Sequence, residues 1–262
     1  MSDHITAPKL TQMKAQGRKI VFVTAYDQPS GLLADAAGVD AILVGDSVGT
    51  VMLGCSTTVP VTLEQIEHHV RATRAGVSRA LLVADLPFGS YGSSVGQCVD
   101  SAVRLMRAGA DAVKLEGSYL DEVRAMVKAG IPVMGHLGMT PQSYHVFGGH
   151  KVQGKNDSSE EKLLLDARAL QEAGVFSIVL ELTVAEVATH VSKNLIIPTI
   201  GIGAGAGCDG QVQVWHDLLG LAPKTYKHAK RYVDGHTLFG DALKSYVDEV
   251  RGGLFPTKDN SF

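Results

Sequence analysis

Four short apolar runs in this chain each end in a carboxylate: Ala-Ile-Leu-Val-Gly-Asp46, Leu-Leu-Val-Ala-Asp85, Ala-Val-Lys-Leu-Glu116 and Ser-Ile-Val-Leu-Glu181. A continuous run of Val, Ile and Leu reads as a strand buried on both faces of a parallel sheet, and a charge at its last position belongs to the rim where ligands sit. Asp46, Asp85 and Glu116 are hard oxygen donors. His and Cys do not gather at comparable strand ends, so the implied metal is Mg²⁺ rather than a structural zinc. Such an ion keeps open positions that the adjacent carboxylate and keto oxygens of a substrate could occupy, favouring an enolate beside the ketone. The alternative is that each acid merely caps the helix that follows it.

Glu181 ends a strongly apolar segment, which raises a carboxyl pKa and suits it to general base work. It could instead be a fourth ligand or an ion-pair partner of Lys114. Lys114 alternates with Glu116 and so shares its face, where it can bind a substrate carboxylate. A Schiff-base role is the competing one, disfavoured because neighbouring carboxylates keep a lysine protonated. Ser47 follows Asp46 directly and could hold the same substrate carboxylate, unless it is a plain loop serine. His136, in Met-Gly-His-Leu-Gly, could hydrogen-bond a ligand or the substrate, or serve the core. The run from Gly201 to Gly207 resembles a dinucleotide fingerprint, but no helix opens after it, and close backbone packing explains it as well. No P-loop, Gly-x-Ser-x-Gly elbow or His-Glu-x-x-His is present, which removes the usual support for Walker, serine-hydrolase and zincin chemistry.

Residues about forty positions apart meet only if a fold gathers their strand ends. The sequence predicts strands at 20–25, 41–46, 80–85, 112–116, 131–136, 176–181, 197–202 and 212–217. Helical patterns at 28–38, 62–75, 94–108, 119–129 and 159–173 each end at a glycine, the residue that accepts a left-handed stop. Phrases such as Ala37-Gly38-Val39-Asp40 and Ala108-Gly109-Ala110-Asp111 then lead into the next strand. This is βα grammar, and 262 residues suits a single-domain (β/α)₈ TIM barrel over 1–262, a fold of roughly 250 residues whose C-terminal strand ends form one site. Segments 47–61 and 137–158 are rich in Gly, Ser and Thr and read as rim lids. A helical stretch near 237–251 closes the barrel or meets another subunit.

A net charge of −3 and a pI of about 6.4 leave no electrostatic footprint for nucleic acid or a membrane surface, so a small-molecule partner is expected. Cys55, Cys98 and Cys208 are an odd set without metal spacing, which fits reduced thiols in the cytoplasm. The opening Met-Ser-Asp-His-Ile-Thr carries no signal-peptide pattern, and no apolar stretch reaches the ~18 residues of a membrane span.

Taken together, Val44-Gly-Asp-Ser-Val-Gly49, Ala84-Asp-Leu-Pro-Phe88, Val113-Lys-Leu-Glu-Gly117, Pro132-Val-Met-Gly-His-Leu-Gly-Met-Thr-Pro-Gln142, Ile200-Gly-Ile-Gly-Ala-Gly205 and Cys208-Asp-Gly-Gln211 resemble the ketopantoate hydroxymethyltransferases of pantothenate synthesis. The matches run in the family's order from about Thr24 to Lys227. Val48 and Thr50, where the family usually carries Leu and Met, depart from it, as does Gln28-Pro29-Ser30. The resemblance implies a (β/α)₈ barrel in which Asp46, Asp85 and Glu116 surround Mg²⁺. It also implies that Ser47 and Lys114 help bind the keto acid and that Glu181 is the base. The activity it implies is transfer of a hydroxymethyl group from 5,10-methylenetetrahydrofolate to 3-methyl-2-oxobutanoate, by a large homo-oligomer, a decamer by resemblance. Asp46, Asp85 and His136 join the substrate-binding set. Two other readings compete. One is a lyase or mutase of the phosphoenolpyruvate mutase type, for which Cys55 lies in a rim loop but the Lys-Cys-Gly-His context is missing. The other is a non-catalytic barrel, disfavoured because unpaired buried charges destabilise a fold.

Overall fold

The computed structural model describes residues 4–222 and 225–262. Its eight parallel strands are β1 (Ile20–Thr24), β2 (Ala41–Val44), β3 (Leu81–Asp85), β4 (Ala112–Lys114), β5 (Val133–Gly138), β6 (Ser177–Glu181), β7 (Thr199–Ile202) and β8 (Gly210–Gln213). They close in chain order, with β8 pairing back onto β1. Helices Gln28–Ala36, Leu63–Arg74, Val95–Ala108, Leu120–Lys128 and Asp157–Ala173 occupy the predicted crossovers. Gly109 and Gly174 end two of them in the left-handed conformation, with φ of 115° and 103°.

Burial is divided along the barrel axis. Phe22, Leu43, Leu81, Val83, Ala112, Met134, Val179, Ile200 and Val212 form one buried cluster inside the lower barrel. Because strand side chains alternate, the same inward faces carry Asp85, Lys114, Glu116, His136 and Glu181 at the upper, C-terminal end. The apolar half packs like a domain core, which leaves the charged half to be held by its own pairings.

The lower end is closed by a helix that the sequence did not announce. Helix Ala7–Ala15 buries Leu10 and Met13 in the barrel cluster. Its Lys14 Nζ donates to the carbonyls of Ser192 and Ile197 and pairs with Asp209 at 2.9 Å. Asp40, Asp111 and Asp209 each immediately precede a strand and accept the backbone N–H of Val21, Leu82 and Thr199, respectively, in the strand before. Arg18, Arg74 and Lys14 pair with these acids. The phrases ending in Asp40 and Asp111 thus stop a helix at Gly38 and Gly109, and all three acids tie their own strand to the one before.

The first seven strands lie within two residues of the predicted spans, but the eighth does not. It starts at Gly210, and Trp215–Leu218 is helical. A Cβ on Gly210 would lie 2.3 Å from the Ile20 carbonyl oxygen and 2.8 Å from Ile200 Cδ1. The residue that reads as a breaker is the only type that fits between β7 and β1. The glycine run has a similar cause, since a Cβ on Gly207 would come within 1.9 Å of Thr189 Oγ1 on helix Ala185–Lys193. Close helix packing explains the run without a dinucleotide.

The chain divides into two compact units, Met1–Val214 with the barrel and Trp215–Phe262. The second holds helix Gly235–Arg251, whose Asp234 side chain accepts from the N–H of Thr237. Leu238, Phe239, Leu243, Tyr246, Val247 and Val250 stand exposed along it. No helix among the described residues is long and apolar enough to cross a membrane.

Candidate active site

Asp85 is the last residue of β3 and lies in register with Lys114 at the end of β4. That register sets the Lys114 ammonium 2.7 Å from Asp85 Oδ1, with both side chains buried. The other Asp85 oxygen accepts the backbone N–H of Asp46 at 2.9 Å, tying the end of β2 to β3. On the other side, Lys114 Nζ lies 3.3 Å from His136 Nδ1. Lysine only donates, so Nδ1 accepts, and the imidazole proton is assigned to Nε2. His136 Nδ1 is also 3.3 Å from Glu116 Oε1, and its Nε2 is 3.5 Å from Glu181 Oε2. Asp46, Asp85, Lys114, Glu116, His136 and Glu181 therefore form one connected patch drawn from five strand ends.

One ammonium among four carboxylates sets the electrostatics. Burial first, then repulsion from Asp85 and Glu116, holds the Asp46 carboxyl well above the usual range. Glu116 is pushed up to about 7, mainly by burial, against the pull of Lys114 and of the Gln142 N–H. Burial also raises Glu181 well above the ordinary glutamate value, with Glu116 adding to it. Burial alone would lower Lys114, but Asp85, Glu116 and Asp46 outweigh it and hold the amine above its usual range. Lys114 is therefore a fixed cation and not a free-amine nucleophile, and its ion-pair partner is Asp85, not Glu181. His136 is driven well below the usual imidazole value by burial and by Lys114, so it is neutral.

Three buried polar atoms of this patch, Asp85 Oδ1, Glu116 Oε1 and His136 Nε2, lack a hydrogen-bond partner among the described residues, and of these Asp85 Oδ1 meets the Lys114 ammonium as an ion pair. Such atoms are rare away from ligand sites. The donor set suits a hard divalent cation: oxygen only, acidic beyond what one lysine balances, and with Glu116 Oε1 uncommitted. Among the described residues no three His, Cys, Asp or Glu side chains already converge as a metal cage. The fit is thus to an ion that keeps water and substrate oxygens in its shell.

Ser47 is half-buried next to Asp46, and its Oγ lies 2.8 Å from the hydroxyl of buried Tyr26. Sequence reasoning passed over Tyr26, Tyr91 and Gln142. Gln142 Nε2 donates to Asp46 Oδ2 at 2.9 Å, its backbone N–H donates to Glu116 Oε2 at 2.9 Å, and its Oε1 accepts from the Tyr91 hydroxyl at 2.6 Å. Only its place in the Thr-Pro-Gln phrase after β5 marked it. The segments read as lids are partly pinned. Val48, Gly49, Thr58 and Val61 are buried in the first. In the second, Gln153 donates its N–H to Leu182 and its carbonyl accepts from Val184. Cys55 is half-buried and a free thiol.

Residues 4–258 match a family model described as ketopantoate hydroxymethyltransferase. A 3-methyl-2-oxobutanoate hydroxymethyltransferase of Moorella thermoacetica is 53% identical, over 98% of this chain and 97% of that protein. One from Acetivibrio thermocellus is 50% identical, over 100% and 94%. Among solved structures, a phosphonopyruvate hydrolase in complex with oxalate and Mg²⁺ superposes with a TM-score of 0.65 at 13% identity, covering 99% of this chain and 93% of that one. A 2,3-dimethylmalate lyase of the phosphoenolpyruvate mutase/isocitrate lyase superfamily gives 0.63 at 17%, covering 100% and 92%. These two share the barrel fold, while the transferases share the sequence throughout.

Proposed function

The chain belongs to the ketopantoate hydroxymethyltransferase family, and on that premise we propose that it moves a one-carbon unit from 5,10-methylenetetrahydrofolate to 3-methyl-2-oxobutanoate, giving 2-dehydropantoate. The observation that carries this reading is the buried patch in which a fixed lysine cation, a neutral histidine and four acids meet at one end of the barrel. Asp46, Asp85 and Glu116 would hold Mg²⁺, which when bound supplies a Lewis acid to the keto and carboxylate oxygens of the acceptor.

Lys114 offers its ammonium to the acceptor carboxylate, with the Ser47 hydroxyl beside Asp46 as a second donor. Glu181 removes the C3 proton. A carboxylate whose pKa burial raises is a stronger base than an ordinary glutamate, and the task requires one because the proton comes from carbon. The electron pair left at C3 forms the new C–C bond, the transferred carbon's two bonds to the folate nitrogens break, and water provides the hydroxyl group. The proton taken from C3 and the second proton of that water balance the charge left on the folate nitrogens. His136 Nε2 lies 3.5 Å from Glu181 Oε2, so a neutral imidazole borders that carboxylate without a hydrogen bond that fixes it. Asp46, Asp85 and His136 also shape the acceptor's pocket. Catalysis belongs to the barrel unit.

On this reading the protein works in the cytoplasm on small molecules, at the first committed step toward pantothenate and coenzyme A. It is also a large homo-oligomer, which the exposed apolar row on Gly235–Arg251 supports as an association face. Purified protein, both substrates and Mg²⁺ should yield 2-dehydropantoate by mass spectrometry, and EDTA should stop it. A folded, Mg²⁺-loaded protein that makes none would overturn the reading and redirect the search to C–C bond cleavage.

A further inference from the structure

Gln142 lies in the turn Pro141–Ser143 and is buried, although glutamine is mostly a surface residue. Every polar group it has beyond its own carbonyl is engaged. Nε2 donates to Asp46 Oδ2 at 2.9 Å and to the Leu86 carbonyl at 3.0 Å, Oε1 accepts from Tyr91, and the backbone N–H donates to Glu116 Oε2. The amide has one sense only, because flipping it would set Oε1 against a carboxylate and a carbonyl. The Tyr91 hydroxyl is held in turn by the backbone N–H of Glu116 at 3.2 Å, and its ring packs edge-on against Tyr119 at 5.1 Å. The contacts form a closed circuit, from Glu116 N–H to Tyr91, from Tyr91 to Gln142, and from Gln142 N–H back to the Glu116 carboxylate.

Asp46 and Glu116 leave different strands and repel each other. Gln142 gives each of them one donor and so decides which oxygen of each acid is committed. On Glu116 it takes Oε2 and leaves Oε1 without a hydrogen-bond partner among the described residues. We propose that Gln142, oriented by Tyr91, is the positioning residue that presents Asp46 and Glu116 to the divalent cation. This inference rests on the metal reading above and assigns a role to two residues outside the acidic set. A partner that orients a ligand typically affects metal affinity about 10–100-fold.

The test is Mn²⁺ titration of the substrate-free protein, with free Mn²⁺ followed by electron paramagnetic resonance and folding checked by circular dichroism. Gln142→Met keeps the backbone N–H and the volume but removes the side-chain donors, and it should weaken Mn²⁺ binding about 10-fold or more. Tyr91→Phe should weaken it a few-fold, and the double variant should be no weaker than Gln142→Met, because Tyr91 acts through Gln142. A space-filling role would lower Tm and leave Mn²⁺ affinity within two-fold of the parent, which overturns the proposal, as does full additivity in the double variant. If Gln142→Met does not fold, Tyr91→Phe decides alone, and unchanged affinity overturns the proposal. A parent protein that takes up no Mn²⁺ overturns the metal reading and this inference with it, an outcome distinct from equal binding by parent and variant.

Discussion

Replacing Glu116 with Gln should make the metal-free protein more stable while removing part of its response to Mg²⁺. The Glu116 carboxyl is buried and pushed from 4.5 up to about 7. Between those values the folded chain holds the proton more tightly than the unfolded one, so stability falls as pH rises through the window and levels off above it. At 1.4 kcal/mol per pH unit, the charged Glu116 costs about 3 kcal/mol above pH 7. Gln imitates the protonated acid. Its oxygen can accept the Gln142 N–H that Glu116 Oε2 accepts, and its amide can donate toward His136 Nδ1. In the variant Asp46 and Glu181 lose a repelling neighbour and Lys114 an attracting one, changes of opposite sign that leave the direction of the difference to the Glu116 carboxyl itself. At roughly 2–4 °C per kcal/mol for a chain of this size, Glu116→Gln should melt about 6–12 °C above the parent at pH 8 in EDTA. The two should converge near pH 4.5. Added Mg²⁺ should raise the parent's Tm at pH 8 and the variant's by less. The assay is thermal unfolding by circular dichroism at both pH values, with EDTA or Mg²⁺. A variant no more stable than the parent at pH 8 in EDTA would refute the claim that this acid is held against its preference.

Glu181→Gln should leave binding of the keto acid intact and abolish deuterium exchange at C3 of 3-methyl-2-oxobutanoate, followed by NMR; undiminished exchange would remove Glu181 as the base. Gly207→Ala drives a methyl onto β-branched Thr189 in a packed helix and should cost about 1–3 kcal/mol in urea unfolding. Asp35→Ala removes a carboxylate that accepts the N–H groups of Ser78, Arg79 and Ala80 at the lower end of the barrel. The loss should be about 1–3 kcal/mol with kcat unchanged. Burial opposes the Asp35 charge, but these N–H donors outweigh it and lower its pKa, so the contribution is present above the ordinary value of 3.8 and is lost as pH falls.

Much of the site was legible because a barrel repeats one local rule. Apolar runs of four to six residues form strands wherever they lie, and the rim residue is the one that follows or ends the run. Asp46, Asp85, Glu116 and Glu181 could thus be placed without any long-range contact, and alternation alone put Lys114 beside Glu116. Helix stops were equally local, since Gly109 and Gly174 are read from the need for positive φ. What the closed structure decided is everything that depends on register across strands or on loops crossing the rim. The pairing of Lys114 with Asp85 and not Glu181 follows from the β3–β4 register. The hold of Gln142 on Asp46 joins residues 96 positions apart, and no local preference encodes it. The same holds for Gly210, a breaker by propensity and a strand residue by packing, and for helix Ala7–Ala15. The apolar residues of that helix are too few to signal a buried face until the open end of the barrel gives Leu10 and Met13 a surface to cover. Propensity acts over a few residues and was readable along the chain, whereas charge pairing and steric fit act across space and exist only once the barrel has closed.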